Sequence, residues 1–529
     1  MGTKVNSNYE SLLTFTRASK GHALRPVSYG DELVTNGTFD TDSDWTKSST
    51  GISGGVATVT IGYRFLVQDA GLQTGKLYYI SFDYTETSSS KLRVNTTGTN
   101  GAQQALLTTV SGTGSGTIQG AVVAEGPYIA IEAGSAAFTG TIDNVSVKEV
   151  TFDESDGTLT LFEHPAGIPR VEYDADGNRL GLLVEEARTN LVTRSESFDN
   201  SAWTKVEGSI TADTITAPDG TSTADFFVPS TNNVGNHLVR DAINVSSAQH
   251  SWSVFAKAGG YSWIRLIHDD GDDVSHSAYF DLNNGAVGAV SGSATASITD
   301  VGNGWYRCSV TASAAASASS TQNQFIYVAE GNGDVNFAGN GTSGVYLWGA
   351  QLEVGAFPTS YIKSDSGTTT TRSADVASIP VADFGYNQSE GTVFVEAKAS
   401  GDSLTFPRVI SFQDDPSNRW ELIGDTTLDV RIFHRSNGTT DVSSDIISNV
   451  LDGETSFKLA YAKAENDAAG SGNGGSVVTD TSNGQLNNVD TLYIGVGANG
   501  SSDFLNGHIK SIKYFPRRLT NAQLVDLTS

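Results

Sequence analysis

Residue types that mark several classes of protein are scarce in this chain of 529 residues. Cys308 is its only cysteine, which excludes an intrachain disulfide. Lys and Arg number 32 against 59 Asp and Glu, so the formal net charge is −27 at pH 7. Proteins that bind nucleic acids gain affinity by neutralising phosphates with basic side chains. The acidic balance therefore excludes a nucleic-acid partner.

Long apolar runs are also missing. No stretch approaches the roughly 18 uninterrupted apolar residues of a membrane-spanning helix, and no apolar segment follows Met1. We therefore expect no membrane insertion and no signal peptide. A protein of this kind is made in a cytoplasm and reaches an outside destination by another route, such as assembly into a particle that lysis releases.

Helical periodicity is almost absent. Its clearest candidate is the last stretch, where Thr520 is placed to cap one or two turns that end near Leu527. Elsewhere, short alternating runs recur between clusters of Gly, Asn, Asp and Ser, which is typical of β-sandwiches. Cys308 lies in one such run, and we interpret it as a small buried hydrophobe. The sequence thus predicts an all-β fold, with a length suited to about three or four domains of roughly 150 residues.

One segment occurs twice. Leu-Val-Thr at 33–35 leads to Trp-Thr-Lys at 45–47, and the same tripeptide at 191–193 leads to Trp-Thr-Lys at 203–205, an offset of 158 residues. Solenoid repeats have periods of roughly 20–50 residues, so this offset indicates a repeated domain. We predict two copies of one β-sandwich, in which the two Trp side chains plug equivalent ends.

These patterns divide the chain into three sandwiches and the segments that join them. The predicted parts are 1–32, an N-terminal segment that begins a connector; 33–150, the first sandwich; 151–189, a β-hairpin connector; 190–362, the second sandwich; 363–376, a linker; and 377–529, a third sandwich of different pattern.

Several segments resemble elements of bacteriophage virion proteins. The run from Gly181 to Leu191 (GLLVEEARTNL) and the run at 195–205 that follows it are similar to consecutive elements of phage tail and appendage proteins. The run at 15–19 (FTRAS) resembles another element, which usually lies a few dozen residues before one like 169–174 (PRVEYD). Here a whole domain intervenes, which indicates that the first sandwich is inserted within the connector.

The domains carry further resemblances. The first sandwich resembles carbohydrate-binding-module jelly rolls, the second resembles the jelly roll of the phage proteins, and the third resembles concanavalin-A-like or laminin-G-like domains. These resemblances depend on 36–40 and 142–147 in the first domain, 304–307 and 348–353 in the second, and 516–524 at the end of the third.

The resemblance implies a structural protein of the phage particle. It implies a location on the virion, assembly with other virion proteins in the host cytoplasm, and a homo-oligomer, with a trimer favoured. A trimer multiplies weak sugar contacts through avidity. The first hypothesis is a non-enzymatic appendage of the tail or capsid, such as a tail fibre, that binds host surface glycans. The alternatives are a head-decoration or capsid-fibre protein that stabilises the particle, and a polysaccharide depolymerase.

Enzymatic activity is disfavoured by a missing pattern. Concanavalin-A-like glucanases place two glutamates on one strand in an E-x-D-x-x-E pattern, so that they flank the glycosidic bond, and 391–529 contains no such pattern. Glu185 and Glu186 are adjacent, so on a strand they point to opposite faces and cannot share a substrate. We expect Glu186 and Arg188 to pair within the connector, and we expect no enzyme.

Metal binding is considered at three places. The run at 172–177 has the acidic start of a calcium loop, but Leu183 stands where a bidentate Glu is required, so a hairpin turn explains it better. The acidic run at 268–273 is explained better by a solvated turn than by calcium. The resemblance to carbohydrate-binding jelly rolls implies that Asp143 could hold a structural calcium. No other cofactor is expected.

Strand alternation places aromatic and arginine side chains on outward faces of the second jelly roll, provided that Ile264 and Leu266 face the core. Trp rings can stack on sugar rings with Arg alongside, and they can equally pack against a neighbouring domain or subunit. The candidate residues for glycan binding or subunit contact are Tyr261, Trp263, Arg265, Trp305 and Arg307.

Overall fold

The computed structural model consists almost entirely of β-strands, with two short 3-10 helices and one α-helix among the residues that it describes. Those residues are 9–62, 64–88, 92–97, 114–133, 137–152, 157–269, 275–312, 320–399, 406–453, 455–484, 488–497 and 500–529. They form two compact units. One unit consists of Pro26–Leu159 and Glu163–Pro165, and the other contains Thr160–Phe162, Ala166–Ser529 and the N-terminal residues up to Arg25.

The N-terminal segment, the first jelly roll and the connector contain strands β1 to β15. A 3-10 helix at Tyr9–Leu12 precedes them. The strands are β1 (Thr14–Thr16), β2 (Gly21–Glu32), β3 (Thr46–Lys47), β4 (Thr50–Ser53), β5 (Val56–Gly62), β6 (Arg64–Asp69), β7 (Leu77–Glu86), β8 (Leu92–Asn95), β9 (Gly114–Val123), β10 (Tyr128–Ala133), β11 (Phe138–Thr151), β12 (Thr158–His164), β13 (Val171–Tyr173), β14 (Arg179–Val184) and β15 (Arg188–Asn190).

The second jelly roll contains strands β16 to β29. Its strands are β16 (Thr204–Val206), β17 (Gly208–Ile215), β18 (Ala224–Pro229), β19 (Asn233–Val234), β20 (Leu238–Val245), β21 (His250–Gly259), β22 (Trp263–Asp269), β23 (Ser275–Asp281), β24 (Ala286–Ser291), β25 (Ala294–Asp300), β26 (Tyr306–Ala312), β27 (Ser320–Ala329), β28 (Phe337–Ala338) and β29 (Gly344–Val354).

The remaining strands and the helix α1 follow the second jelly roll. They are β30 (Thr370–Arg372), β31 (Val376–Pro380), β32 (Gly391–Ala399), β33 (Arg408–Asp415), β34 (Asn418–Gly424), β35 (Val430–Ser436), β36 (Thr439–Ile447), β37 (Phe457–Ala464), β38 (Asp467–Gly472), β39 (Val478–Asp480), β40 (Thr491–Ile494), β41 (Gly507–Phe515) and α1 (Asn521–Thr528), with a 3-10 helix at Val381–Phe384. None of the described helices has the length and hydropathy needed to cross a bilayer.

The two jelly rolls follow one pairing plan. In the first, one sheet has the order β3-β6-β10-β8. In the other, β4, β5, β11, β7 and β9 are successive neighbours, β2 also pairs with β11, and β12 lies beside β2. In the second, the orders are β16-β20-β27-β22-β23-β24 and β17-β18-β29-β21-β26-β25. The orders match strand for strand, with two exceptions. β2 and β12 have no counterpart in the sheet orders of the second copy, and β23, β24 and β25 have none among the described residues of the first. The predicted pair of repeated sandwiches is confirmed.

The repeated Trp residues occupy equivalent places. Trp45 directly precedes β3 and Trp203 directly precedes β16, and both side chains are buried in the core of their own sandwich. The indole Nε1 of Trp45 donates to the carbonyl of Asn36 at 3.0 Å, and that of Trp203 donates to the carbonyl of Arg194 at 2.8 Å. Each acceptor lies nine residues before its Trp. The duplicated tripeptides thus build the same plug twice.

The third sandwich includes strands from far upstream. Its sheets have the orders β1-β31-β40-β33-β34-β35-β36 and β13-β14-β41-β32-β37-β38-β39. The sequence predicts a separate hairpin at 151–189, but β13 and β14 extend the second of these sheets because Leu182 and Val184 belong to the core of the third sandwich. The predicted linker at 363–376 also contains a strand, since β30 pairs with β15.

Charged side chains from four of these segments meet in a buried network. Arg17 donates to Asp375 at 3.1 Å, and Arg170 bonds both Asp375 and Glu185, the latter at 2.7 Å. Arg372 lies 3.4 Å from Glu185. All five side chains are at most 3% exposed. The N-terminal segment, the connector and the predicted linker thus together supply one buried charge network.

Glu185 is the hub of this network. Burial raises the pKa of its carboxyl, but Arg372 and Arg170, together with hydrogen bonds from Ser360, hold that pKa well below its usual range. The backbone N–H and the hydroxyl of Ser360 donate to Glu185 at 2.8 and 2.7 Å. Glu185 is therefore charged and structural. The predicted pairing of its neighbour Glu186 with Arg188 is confirmed at 2.6 Å.

The predicted C-terminal helix is also confirmed. Thr520 caps α1 in a capping box, in which the N–H of Gln523 donates to the hydroxyl of Thr520 and the N–H of Thr520 donates to the side chain of Gln523. Leu524 of this helix packs against the outer side of the third sandwich, in a small cluster of buried apolar residues. The helix thereby covers part of one sheet.

Candidate functional site

The candidate site is the outer face of one sheet of the second jelly roll. On β22, Ile264 and Leu266 are fully buried in the core, as the sequence predicts. Trp263 and Arg265 alternate with them, point to the other side of the sheet, and remain partly exposed. The alternation of the strand therefore places a Trp and an Arg on an outward face.

Neighbouring strands add aromatic and basic side chains to this face. Arg265 stands directly opposite Tyr327 of β27 on one side and Tyr279 of β23 on the other. On the far side of β27, Phe325 stands opposite Arg240 of β20. We call the set of Arg240, Trp263, Arg265, Tyr279, Phe325 and Tyr327 the aromatic face. The sequence analysis misses four of these residues because strand pairing between distant segments brings them together.

Arg265 is oriented by neutral groups. Its guanidinium donates to the hydroxyl of Ser277 at 2.9 and 3.2 Å and lies 5.3 Å from the ring centre of Tyr279. Within the part of the chain that the structure describes, neither Arg265 nor Arg240 has a carboxylate within 4 Å. Burial raises the pKa of Tyr327, and the charges of Arg265 and Arg240 lower it. Two guanidinium groups therefore lie near Tyr327 on this face, while Asp281 of β23 stands opposite Trp263.

The ring of Trp263 lies close to Gly288 of β24. A Cβ added at Gly288 would approach the Trp263 ring to 2.8 Å, so only glycine lets the ring lie this close to the backbone of β24. Asn332 borders the same place, where its side chain accepts the N–H of Ala289 at 2.7 Å. Gly288 therefore lies next to both the Trp263 ring and the Asn332 amide.

Tyr261 does not belong to this face. It precedes β22, and its ring packs 4.9 Å from that of Phe337 against the core of the sandwich. The alternation rule fails here because the chain is not yet extended at Tyr261: β22 begins only at Trp263. The prediction that Tyr261 shares the outward face of Trp263 and Arg265 is therefore wrong.

Trp305 and Arg307 lie on the other sheet and are covered. Trp305 is 2% exposed, and its Nε1 donates to the carbonyl of Thr216 at 3.2 Å. Arg307 donates to the carbonyl of Thr359 at 2.6 Å and to the hydroxyl of Ser253 at 3.0 Å. The prediction that these two residues join Trp263 and Arg265 in one accessible platform is wrong. Trp305 is buried beside the segment between β17 and β18, and the chain after β29 covers Arg307.

The covering segment makes this second face an aromatic core of its own. Tyr361 packs 4.6 Å from Trp348 and 5.8 Å from Phe255, measured between ring centres. Next to Tyr361, Ser360 bonds Glu185 of the buried charge network. The outer faces of the two sheets therefore differ. The segment after β29 that contains Thr359, Ser360 and Tyr361 covers one of them, and the other is the aromatic face.

A cleft of about 340 Å³ in the second jelly roll is acidic. Its charged lining residues are Glu196, Asp199, Asp213, Asp225, Lys363 and Asp365. Asp225 accepts the backbone N–H groups of Phe198, Asp199 and Asp213 at 2.7, 3.2 and 3.1 Å. Burial raises the pKa of Asp225 to about 6. Its carboxylate holds the turn that carries the repeated motif, which is a structural role.

Glu196, on the wall of the same cleft, is likewise occupied. One of its carboxylate oxygens accepts the hydroxyl of Tyr361 at 2.9 Å, and the other accepts the ammonium of Lys363 at 2.5 Å. In the third sandwich the buried Glu421 is bound by Arg419 at 2.9 Å and by Ser411 at 2.7 Å. These carboxylates serve the fold.

The predicted calcium ligand Asp143 lies at a bulge in β11. Its Oδ1 accepts the N–H of Asn144 at 2.7 Å. Asp83 stands opposite it on β7, but the oxygens of Asp83 accept from Thr117 and from the amide of Asn144. Calcium takes 6–8 oxygen ligands, and no third carboxylate joins this pair among the described residues. The calcium at Asp143 therefore stays a prediction.

Acidic side chains that could hold a cation gather elsewhere, at Asp425, Asp429 and Asp445. Arg431 lies among them, paired with Asp425 and 3.0 Å from Asp445, so the charge that would attract a cation is already offset. The acidic run at 268–273 lies mostly outside the described residues. The run at 172–177 forms the predicted hairpin turn, in which Asp174 accepts the N–H groups of Asp176 and Asn178.

Cys308 is buried in the core of the second jelly roll, as predicted. Burial raises the pKa of its thiol well above the usual value. A thiolate is the reactive form of cysteine, so this thiol is a packing group.

Comparison with known proteins yields structural neighbours alone. No protein-family model matches the chain, and no curated protein matches it. Solved structures similar to parts of it include the Ruminococcus gnavus IT-sialidase CBM40 bound to α2,3-sialyllactose, which is 15% identical over 27% of this chain and 84% of that one, with a TM-score of 0.24.

Two further neighbours match longer stretches. The CBM22-1–CBM22-2 tandem of Paenibacillus barcinonensis Xyn10C is 13% identical over 61% of this chain and 97% of that one, with a TM-score of 0.21. Domains LG4-5 of mouse laminin α1 are 9% identical over 64% of this chain and 91% of that one, also with a TM-score of 0.21. The chain is an all-β protein whose structural neighbours are carbohydrate-binding modules and laminin-G-like β-sandwich domains.

Proposed function

We propose that this chain is a non-enzymatic glycan-binding protein of a bacteriophage particle, and that its aromatic face binds acidic polysaccharide on the host surface. The observation that carries the proposal is the aromatic face itself. Trp263 and Tyr327 provide rings for stacking, and Arg265 and Arg240 provide two cations without a carboxylate partner among the described residues. Sugar rings stack on aromatic side chains, and guanidinium groups bind carboxylate and phosphate in a bidentate way.

The acidic class of glycan follows from charge. A chain with a net charge of −27 repels anionic polymers at long range. A surface with two guanidinium groups that have no carboxylate partner among the described residues is a place where an acidic sugar can approach. Neutral sugars would gain from the stacking rings but not from these cations. We therefore expect uronic-acid or phosphate-bearing polysaccharides to bind more tightly than neutral ones.

The location on a phage particle is supported by the sequence segments at 15–19, 169–174 and 181–191, which resemble phage elements. These are the segments that supply Arg17, Arg170 and Glu185 to the buried network. In the proposed role the protein assembles with other virion proteins in the host cytoplasm, leaves with the particle and contacts host glycans. A head-decoration protein that stabilises the capsid is the second candidate, since the same segments would serve it.

The test measures binding to an array of bacterial surface polysaccharides, acidic and neutral. We expect Trp263→Ala and Tyr327→Ala each to lower affinity for acidic glycans about tenfold or more, as removal of a stacking ring worth roughly 1–3 kcal/mol would do. Phe406→Ala is the matched control, since Phe406 is an exposed aromatic residue of the third sandwich. No reducing ends should appear on prolonged incubation of the same polysaccharides with the protein.

Particle incorporation separates the two candidate functions. Normal incorporation of Trp263→Ala with lost glycan binding supports adhesion, whereas failed incorporation supports a role in particle structure. Unchanged affinity in both variants, with the wild type bound to the array, would place glycan binding elsewhere on the chain. A wild type that binds none of the printed polysaccharides while incorporating normally would refute the adhesion proposal.

A further inference from the structure

The second jelly roll contains two consecutive strands, β24 and β25, for which the described part of the first copy has no counterpart. Strand β24 is the edge of the sheet that bears the aromatic face, and β25 is the edge of the opposite sheet. The chain turns from one to the other at 292–293, so both open edges lie on the same side of the sandwich. The second copy thus has a lateral wall made of two strand edges that are unpaired among the described residues.

Apart from Asp300 at the end of β25, this wall carries no charge, and much of it is exposed. Residues 282–299 contain no charged side chain. Val287 and Val290 of β24 are 38% and 45% exposed. Natural sheets protect their edges with charged residues, prolines, bulges or very short strands, because an open edge pairs with other strands. Apart from a bulge where it pairs with β23, β24 has none of these protections along its six residues.

The opposite edges of the same two sheets are protected. β16 has three residues and includes Lys205. β17 is irregular: its pairing with β18 shifts between Thr211 and Ile215, and Asp213 has a positive φ of 55°. The contrast lies within one domain, where the pressure to avoid non-specific association is the same on both sides. The lack of protection on one side alone therefore indicates that this edge takes part in a contact.

We propose that a second copy of this chain docks on this edge, with β24 of each copy paired antiparallel about a two-fold axis. The net charge of the chain bears on which partner can bind this edge. Two chains of −27 repel each other over most of their surfaces, and a surface without charged side chains is where they can meet at least electrostatic cost. A strand paired with its own copy about a two-fold axis makes a closed, isologous contact, in which main-chain hydrogen bonds supply affinity and the valines pack across the junction.

The contact would join the two aromatic-face sheets into one continuous sheet. Trp263 lies against Gly288 of β24, so the two aromatic faces would flank the junction. Two weak sugar sites on one rigid sheet gain avidity. The dimer inference stands independently of sugar binding, and it gives a two-fold contact in place of the trimer that the phage resemblance implies.

The experiment is sedimentation velocity of the full chain over a range of concentrations, with the mass determined by light scattering. We expect a dimer for the wild type, and a dissociation constant at least tenfold higher for Val290→Lys. Val354→Lys is the matched control, because Val354 is 44% exposed and lies on β29 instead. Ser291→Lys serves as a second edge variant. Circular dichroism and thermal unfolding establish that each variant is folded.

A wild type that stays monomeric at the highest concentration would overturn the proposal. An oligomer whose mass is unchanged in both Val290→Lys and Ser291→Lys would overturn it as well, since its contact lies elsewhere. The affinity of a single glycan site should be the same in a monomeric edge variant as in the wild type. Loss of dimerisation and loss of sugar binding are therefore measured separately.

Discussion

The two jelly rolls share a strand plan but differ at one matched position of the outer face. In the first copy, Arg93 of β8 stands opposite Glu132 of β10, and the two form an ion pair at 3.0 Å. In the second copy the corresponding strands are β22 and β27, and there Arg265 stands opposite Tyr327. In the first copy the arginine is paired with a carboxylate, whereas in the second copy Arg265 lies between Tyr279 and Tyr327.

This difference teaches where to look for function in a duplicated domain. The features that both copies keep, such as the Trp plug and its hydrogen bond to the chain nine residues earlier, hold the fold. Among the described residues, the second copy alone has the aromatic face and the strands β24 and β25. Function that arose after the duplication is expected in the second set.

The largest effect is expected where the copies agree. Trp45→Ala and Trp203→Ala should each lower the free energy of unfolding of their own sandwich by about 3–5 kcal/mol, because each removes a buried indole and leaves a cavity. Hydrogen exchange read by mass spectrometry would assign each loss to its domain. Trp263→Ala is the control and should cost less than about 1 kcal/mol, since its ring is partly exposed. A small loss for either plug would show that the two Trp residues are not equivalent.

A smaller effect is expected where the copies differ. Glu132→Ala should lower the stability of the first jelly roll by about 1–3 kcal/mol, because Glu132 is 5% exposed and its removal leaves the Arg93 guanidinium without its partner. Chemical denaturation measures the change. Glu149→Ala is the control within the same domain: it breaks an exposed pair with Lys76 and should cost less than about 1 kcal/mol. Equal losses would mean that the Arg93 pair is an ordinary surface pair.

Much of the fold could be predicted because it depends on local patterns. Alternation predicts the strands, the run at 172–177 predicts a hairpin turn, and the capping residue Thr520 predicts the helix. Each of these signals lies within a short stretch of sequence, where propensity and periodicity act directly. The repeated tripeptides, 158 residues apart, predict the duplicated sandwich with its Trp plug.

The rest depends on pairing between distant segments, which no local pattern records. Alternation shows that Arg307 points outward from its strand, but it does not show that the chain after β29 returns to cover it. It predicts Trp263 and Arg265, but not that Tyr327 and Arg240 lie beside them. The connector reads as a separate hairpin because Leu182 and Val184 do not reveal that their core belongs to the third sandwich.

The smallest effect is expected at Arg265, and it decides whether the comparison concerns function. Arg265→Met should change the free energy of unfolding by only about 0.5–1 kcal/mol, the scale of one partly exposed cation–π contact. No carboxylate is left unpaired by it among the described residues, and the hydroxyl of Ser277 keeps its hydrogen bond to that of Ser291 at 2.9 Å. The same variant should weaken binding of acidic glycans and leave binding of neutral ones unchanged, whereas Arg265→Lys should retain part of the preference for acidic sugars. A stability loss as large as that of Glu132→Ala, with glycan binding unaltered, would make Arg265 a structural residue like Arg93, and the difference between the copies would then be one of packing alone.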